Sequence, residues 1–104
     1  MLRIYDDIIQ VIAMLNPVIE KLERKDSALA DQCKRARSSM ALNLREGSHG
    51  RGKSRANRYS FVAGSADELV AILDTGVAAL YFEQNDELRE KLRKIVGTMM
   101  KCMR

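Results

Sequence analysis

Residues 59–80, YSFVAGSADELVAILDTGVAAL, hold the pattern on which the fold turns. Tyr59, Val62, Ala66, Leu69, Leu73, Val77 and Leu80 recur every three or four residues, which predicts one apolar stripe along a helix. Ala63, Val70, Ile72 and Tyr81 add apolar surface away from that stripe, more than a single neighbour covers. Such a helix is either central in a bundle or part of a subunit interface.

The flanking sequence supplies its partners. Ile4, Ile8, Val11, Leu15, Val18 and Leu22 step by three or four residues, giving a first helix with one buried stripe. Pro17 interrupts it; because proline removes a backbone donor and clashes with the preceding turn, a kink or short break is expected there, with the helix resuming to about Lys25. Asp26 or Ser27 then caps a second helix whose inner stripe is Leu29, Cys33, Ala36, Met40 and Leu44. Gly47 reads as its left-handed C-cap, and Ser48–Ser54, SHGRGKS, is the one stretch of loop-like composition. Asn85 or Asp86 caps a last helix with Leu88, Leu92, Ile95, Met99 and Cys102 inside. Four amphipathic helices on short connections predict an all-α fold: a single domain over residues 1–104, closed as an antiparallel up-down four-helix bundle.

Composition bounds the function. Aromatic residues are 5% and Trp is absent, so the core is aliphatic. No apolar run is long enough to span a bilayer, and Asp6 and Asp7 stand where a signal peptide would be basic and then apolar, so a cytoplasmic protein with no membrane partner is expected. Cys33 and Cys102 form no Cys-x-x-Cys pair and occupy apolar helix positions, reading as small hydrophobes in a reducing compartment. Met99, Met100 and Met103 read as core filling at a bundle end.

Charge is distributed unevenly. Between Lys34 and Arg58 lie eight basic residues and one acid, a net +7, whereas the whole chain carries +4. At 100° per residue Lys34, Arg37 and Arg45 fall within about 80° of one another, away from the core stripe. Arg51, Lys53, Arg55 and Arg58 continue the basic surface through the loop into the start of the third helix. Positive charge is unfavourable to the helix dipole there, and a sequence selected only for stability would place acids. This local conflict points to a polyanionic partner. Gly50 and Gly52 let the backbone approach a phosphate, and free amides at the helix start can bond it. Only His49 and Tyr59 lie near the cluster as stacking groups, and Tyr59 is in register with the core, so backbone contact rather than base reading is expected.

A second constellation comprises Asn43, Glu46, Ser65 and Glu68, polar residues set in apolar helices. Glu46 falls at a helix C-terminus, where the dipole disfavours it, so Arg35 or a loop amide is expected to compensate it. Gly64 and Ser65 are small enough to bring the second and third helices close for Asn43 to bond across. The group reads as a structural network fixing helix register. A di-iron reading of Glu46 and His49, spaced Glu-x-x-His, fails because Gly47 and Gly50 break the helix and no second such motif exists. No Ser/His/Asp arrangement, Cys/His ligand set or Walker loop is present, so no catalytic residues, metal or cofactor are expected.

The run QCKRARSSMALNLREG, followed by GRGKS and GSADEL, resembles the bacterial four-helix-bundle family encoded in intervening sequences of 23S ribosomal RNA genes, which includes the accessory variability determinant of diversity-generating retroelements. The matching positions are Gln32, Arg35, Ala36, Ser39, Asn43, Glu46, Gly47, Gly64, Ser65, Glu68 and Leu69. Ala41, where the family often has proline, and Arg45, where a small residue is usual, depart from the pattern. The resemblance implies an up-down bundle assembled into a basic homopentameric ring, which in the retroelement member binds nucleic acid and works with a reverse transcriptase. The function expected is therefore non-enzymatic, oligomeric binding of RNA or DNA through phosphate contacts, with a reverse transcriptase as one possible kind of protein partner. The rival from another class is a scaffold whose basic surface meets an acidic protein.

Overall fold

The computed structural model describes residues 2–103, which form four helices: α1 (Leu2–Lys25), α2 (Ser27–His49), α3 (Gly52–Ala78) and α4 (Asp86–Cys102). Each is antiparallel to the next, and α1 packs against α2 and α4 while α3 packs against the same two helices from the opposite side. The result is the expected four-helix bundle, 42 × 23 × 19 Å.

In α1 the stripe Ile4, Ile8, Val11, Leu15, Val18 and Leu22 is buried, joined by Ile19. The helix runs unbroken through Pro17. Pro17 and Ala13, whose carbonyl loses its partner to the missing N–H, are both exposed, so that carbonyl faces solvent and the interruption costs no buried bond. Asp26 caps α2 as expected, its Oδ1 accepting from Leu29 N at 3.0 Å. Asn85 does the same for α4, accepting from Leu88 N at 3.0 Å.

The inner row of α2 is shifted by one position at its start: Ala30 is buried and Leu29 only half-buried, with Cys33, Ala36, Met40 and Leu44 inside as read. Gly47 is not a left-handed cap. It lies inside α2, which ends at Gly50 with φ −90°, and it is buried. Its purpose is proximity, because a Cβ there would stand 2.7 Å from Tyr59 Cε1 and 2.9 Å from Cδ1. The absent side chain lets the Tyr59 ring lie on the α2 backbone, with Tyr59 only 2% exposed. The loop read over Ser48–Ser54 contracts to Gly50 and Arg51: Ser48 and His49 extend α2, and Gly52, at φ +58°, opens α3.

The extra apolar surface of α3 is used within the chain. Ala63, Val70 and Ile72 are buried, because α2 covers one flank of α3 and α4 the other. At the far end the stripe runs out: Val77 is half-buried and Leu80 is 86% exposed. Leu80 has φ +64°, the left-handed conformation that ends a helix, with Leu80 N bonding Val77 O at 3.0 Å and Tyr81 N bonding Gly76 O at 2.8 Å. Phe82 folds back over Gly76, and the Tyr81 hydroxyl donates to Asp26 Oδ2 at 3.1 Å, tying the α3–α4 connection to the α1–α2 turn. In α4, Leu88, Leu92, Ile95 and Met99 are buried as read, but Cys102 is exposed, because α4 reaches the bundle end there. Met103 packs on the core while Met100 is exposed.

Candidate nucleic-acid interface

The α2–α3 turn closes one end of the bundle beside the start of α1 and the end of α4. This end, residues 2–13, 38–65 and 95–103, carries seven basic and three acidic side chains. The rest of the described chain has ten basic and eleven acidic ones, so the positive excess belongs to the turn end.

The seven basic residues read from the sequence as a phosphate-binding surface, Lys34, Arg37, Arg45, Arg51, Lys53, Arg55 and Arg58, do not form one strip. Lys34, Arg37 and Arg45 face α1 and are engaged there. Lys34 Nζ pairs with Glu23 Oε2 at 2.8 Å, a contact that also raises the lysine's pKa above its ordinary value. Arg37 Nη1 donates to Asn16 Oδ1 at 3.3 Å, and the Arg45 guanidinium sits 5.5 Å from the centroid of the Tyr5 ring. The about 80° arc was sound geometry, but it coincides with the α1–α2 seam.

The other four gather at the turn. Arg51 and Lys53 are exposed and make no hydrogen bond or ion pair among the described residues. Arg55 Nε donates to Gly50 O at 3.0 Å, bracing the turn, and Arg58 Nη1 donates to Asn43 Oδ1 at 3.0 Å. Each of these arginines spends one N–H internally and keeps the others outward. Arg51 is the N-cap of α3 and offers no side-chain acceptor to the first-turn amides, and that turn has no acid. Burial raises the Tyr59 hydroxyl pKa, with nearby Arg55 opposing the rise.

The polar network exists with a different membership. Asn43 Nδ2 donates to Ser39 O at 2.8 Å and to Ser39 Oγ at 2.9 Å, and Ser65 Oγ donates to Ser39 Oγ at 3.0 Å. With Arg58 on Asn43, the chain Arg58–Asn43–Ser39–Ser65 links α2 to α3. Arg35, Glu46 and Glu68 stay outside it, exposed and without a hydrogen bond among the described residues. Solvent, not Arg35, therefore screens Glu46 against the helix dipole. Gly64 is exposed and a Cβ on it would meet nothing within 4 Å, so it does not create the helix approach. Ser39 was legible as the residue one turn before Asn43 on the same helix face.

Two further features escaped the sequence reading. Phe61, on the outer surface of α3, is 55% exposed, and Leu42 of α2 is exposed as well. The signal for Phe61 was available: it lies two residues past core-facing Tyr59, which turns it away from the core. Among the described residues no group of His, Cys, Asp and Glu side chains is placed to hold a metal, and no helix is long and apolar enough to cross a membrane.

No protein-family profile and no curated protein matches the chain. Among solved structures, the chain is similar to a Bacteroides thetaiotaomicron protein of unknown function from the S23 ribosomal protein family: TM-score 0.87, 17% sequence identity, 97% of this chain and 98% of that one covered. At that identity the likeness carries the four-helix fold across the full length of both chains.

Proposed function

We propose that the chain is a non-enzymatic, cytoplasmic nucleic-acid-binding protein that works as a homo-oligomer and holds phosphate backbones at its α2–α3 turn. The carrying observation is the state of the turn cations: Arg51 and Lys53 have no partner among the described residues, Arg55 and Arg58 are exposed and commit one N–H each, and the first turn of α3 has no side-chain cap. Cations without internal partners, placed where they oppose the helix dipole, add nothing to the stability of the fold. Lys34, Arg37 and Arg45 are assigned to the α1–α2 seam instead, as secondary contributors at most. The two free thiols are consistent with a reducing compartment.

One turn neutralises only a few phosphates, each contributing about −0.9 on duplex or −0.7 on single strand to the slope of log K against log salt. Useful affinity then comes from several copies engaged at once, which is why assembly, a pentameric ring on the resemblance, belongs to the proposal. A fold shared with a member of a ribosomal protein family is compatible with this reading, as is a protein partner such as a reverse transcriptase. The test is nucleic-acid binding by the Arg51→Gln/Lys53→Gln variant across a salt series. Its slope should fall by about 0.7–0.9 for each charge removed per bound subunit, with helicity unchanged. Light scattering on the wild type reads the assembly, and unchanged binding by the variant at low salt would exclude the turn as the contact.

A further inference from the structure

Of the five aromatic side chains in the sequence, Phe61 alone is exposed; Tyr59 is buried, and Tyr5, Tyr81 and Phe82 are half-buried against the core. A single exposed Phe is ordinary on a protein surface. Its surroundings are not.

Lys53, Asn57 and Phe61 follow one another at intervals of four residues, so they form one outward row on α3, and all three are exposed. At 1.5 Å per residue the row rises about 12 Å from the turn to the ring. Arg58 stands one turn before Phe61, its guanidinium held at 3.0 Å by Asn43, which is itself fixed to Ser39. Gly64 stands one turn after, and a Cβ there would meet nothing within 4 Å, so the ground on that side of the ring is open. An exposed aromatic therefore lies between an anchored cation and open space over Gly64, on the same helix as the cations of the turn.

We propose that Phe61 is a stacking platform for an unpaired base, and that the ligand is single-stranded nucleic acid whose backbone runs from Arg51 and Lys53 along α3 past Arg58. The proposal rests on the phosphate-contact reading above and adds the class of polymer. A ring face accepts any base, while a base paired inside a duplex is already stacked and cannot reach it. Binding is then tolerant of sequence but intolerant of pairing. Single strands of RNA and DNA both supply the chemistry.

The experiment measures fluorescence anisotropy of the whole protein with a labelled single-stranded RNA, the matching single-stranded DNA and the DNA duplex, compared at low salt and then followed through a salt series. The wild type should favour both single strands over the duplex. Phe61→Leu, which keeps an apolar side chain but removes the ring, should weaken single-strand binding about 5- to 100-fold and leave duplex binding and the salt slope unchanged. Phe61→Tyr should retain wild-type affinity. Equal affinity of Phe61→Leu and wild type for the single strands overturns the platform while leaving the phosphate reading intact. No binding of any probe by the wild type removes both. A Phe61→Leu protein that falls from oligomer to monomer in light scattering, with weakened binding restored at high protein concentration, assigns Phe61 and exposed Leu42 to a subunit contact and overturns the proposal.

Discussion

Leu80 is the residue whose replacement should make the protein more stable. It holds φ at +64° to end α3, a conformation that costs an L-residue roughly 1–2 kcal/mol. The strain persists because the bonds Leu80 N to Val77 O and Tyr81 N to Gly76 O need that geometry, and Phe82 on Gly76 holds the following chain in place. Glycine adopts the conformation without strain but loses about 0.5–1 kcal/mol more conformational freedom on folding. Because the side chain is 86% exposed, little burial is given up, about 0.3 kcal/mol. The balance favours Leu80→Gly by about 0.5 kcal/mol, a rise in Tm of about 2–4 °C for a chain of this size. Leu80→Val should move the other way by about 1 kcal/mol, since branching at Cβ makes positive φ harder still. Urea unfolding followed by circular dichroism, with m-values compared to confirm a common unfolded state, gives the order Gly, Leu, Val. A valine variant as stable as the glycine variant would falsify the strain argument.

Three further outcomes follow from the same geometry. Gly76→Ala would drive a methyl into the Phe82 ring, and despite alanine's better helix propensity it should destabilise by about 1–3 kcal/mol; thermal melts of Gly76→Ala with and without Phe82→Ala should show removal of the ring relieving most of the loss. Arg89 donates through Nε at 2.8 Å and Nη2 at 3.0 Å to the Asp74 carboxylate and holds its pKa below the ordinary 3.8. A depressed folded value means the pair's contribution is present above the unfolded pKa and fades as pH falls through the lower folded one; an Asp74 carboxyl titration by NMR should shift upward in Arg89→Gln, and no shift would refute the coupling. Burial pushes the Cys33 thiol up to about 11, while Cys102 is exposed, so a thiol reagent at neutral pH should label one cysteine in the native protein and two in denaturant.

The helices were legible because their signal is periodic and local. The α1 stripe and both Asx caps follow from spacing and from side chains that reach only their own helix start. What was illegible depended on the neighbour. Gly47 in sequence looks like a helix terminator, and only the Tyr59 ring lying across it from α3 shows that the missing Cβ serves packing. Leu80 kept the stripe's period but fell past the last turn, where the chain reverses and periodicity no longer describes direction. The excess apolar surface of α3 permitted two readings, burial in one chain or at an interface, and the pattern on α3 alone could not choose. The positions of α2 and α4 on either flank did.

The basic run carries the same lesson for electrostatics. A helical wheel separates core from exterior, yet the exterior of a bundled helix is itself divided into two seams and an outward face. Lys34, Arg37 and Arg45 share an arc, and that arc is the α1 seam, where Glu23, Asn16 and Tyr5 occupy them. Arg58 sits on the α2 side of α3 and is half committed to Asn43. At the turn, where no helix lies beyond, Arg51 and Lys53 have no partner among the described residues, and of the rest of the run only Arg35 shares that state. The number of charges therefore overstates the surface available to a polyanion. If phosphate contact is the function, reversing the charge of Arg37 and Arg45 should disturb the packing of α1 more than binding, whereas neutralising Arg51 and Lys53 should leave the stability within about 0.5 kcal/mol of wild type and reduce binding. Equal losses of stability at both sites, measured by thermal denaturation, would contradict this division of the basic run.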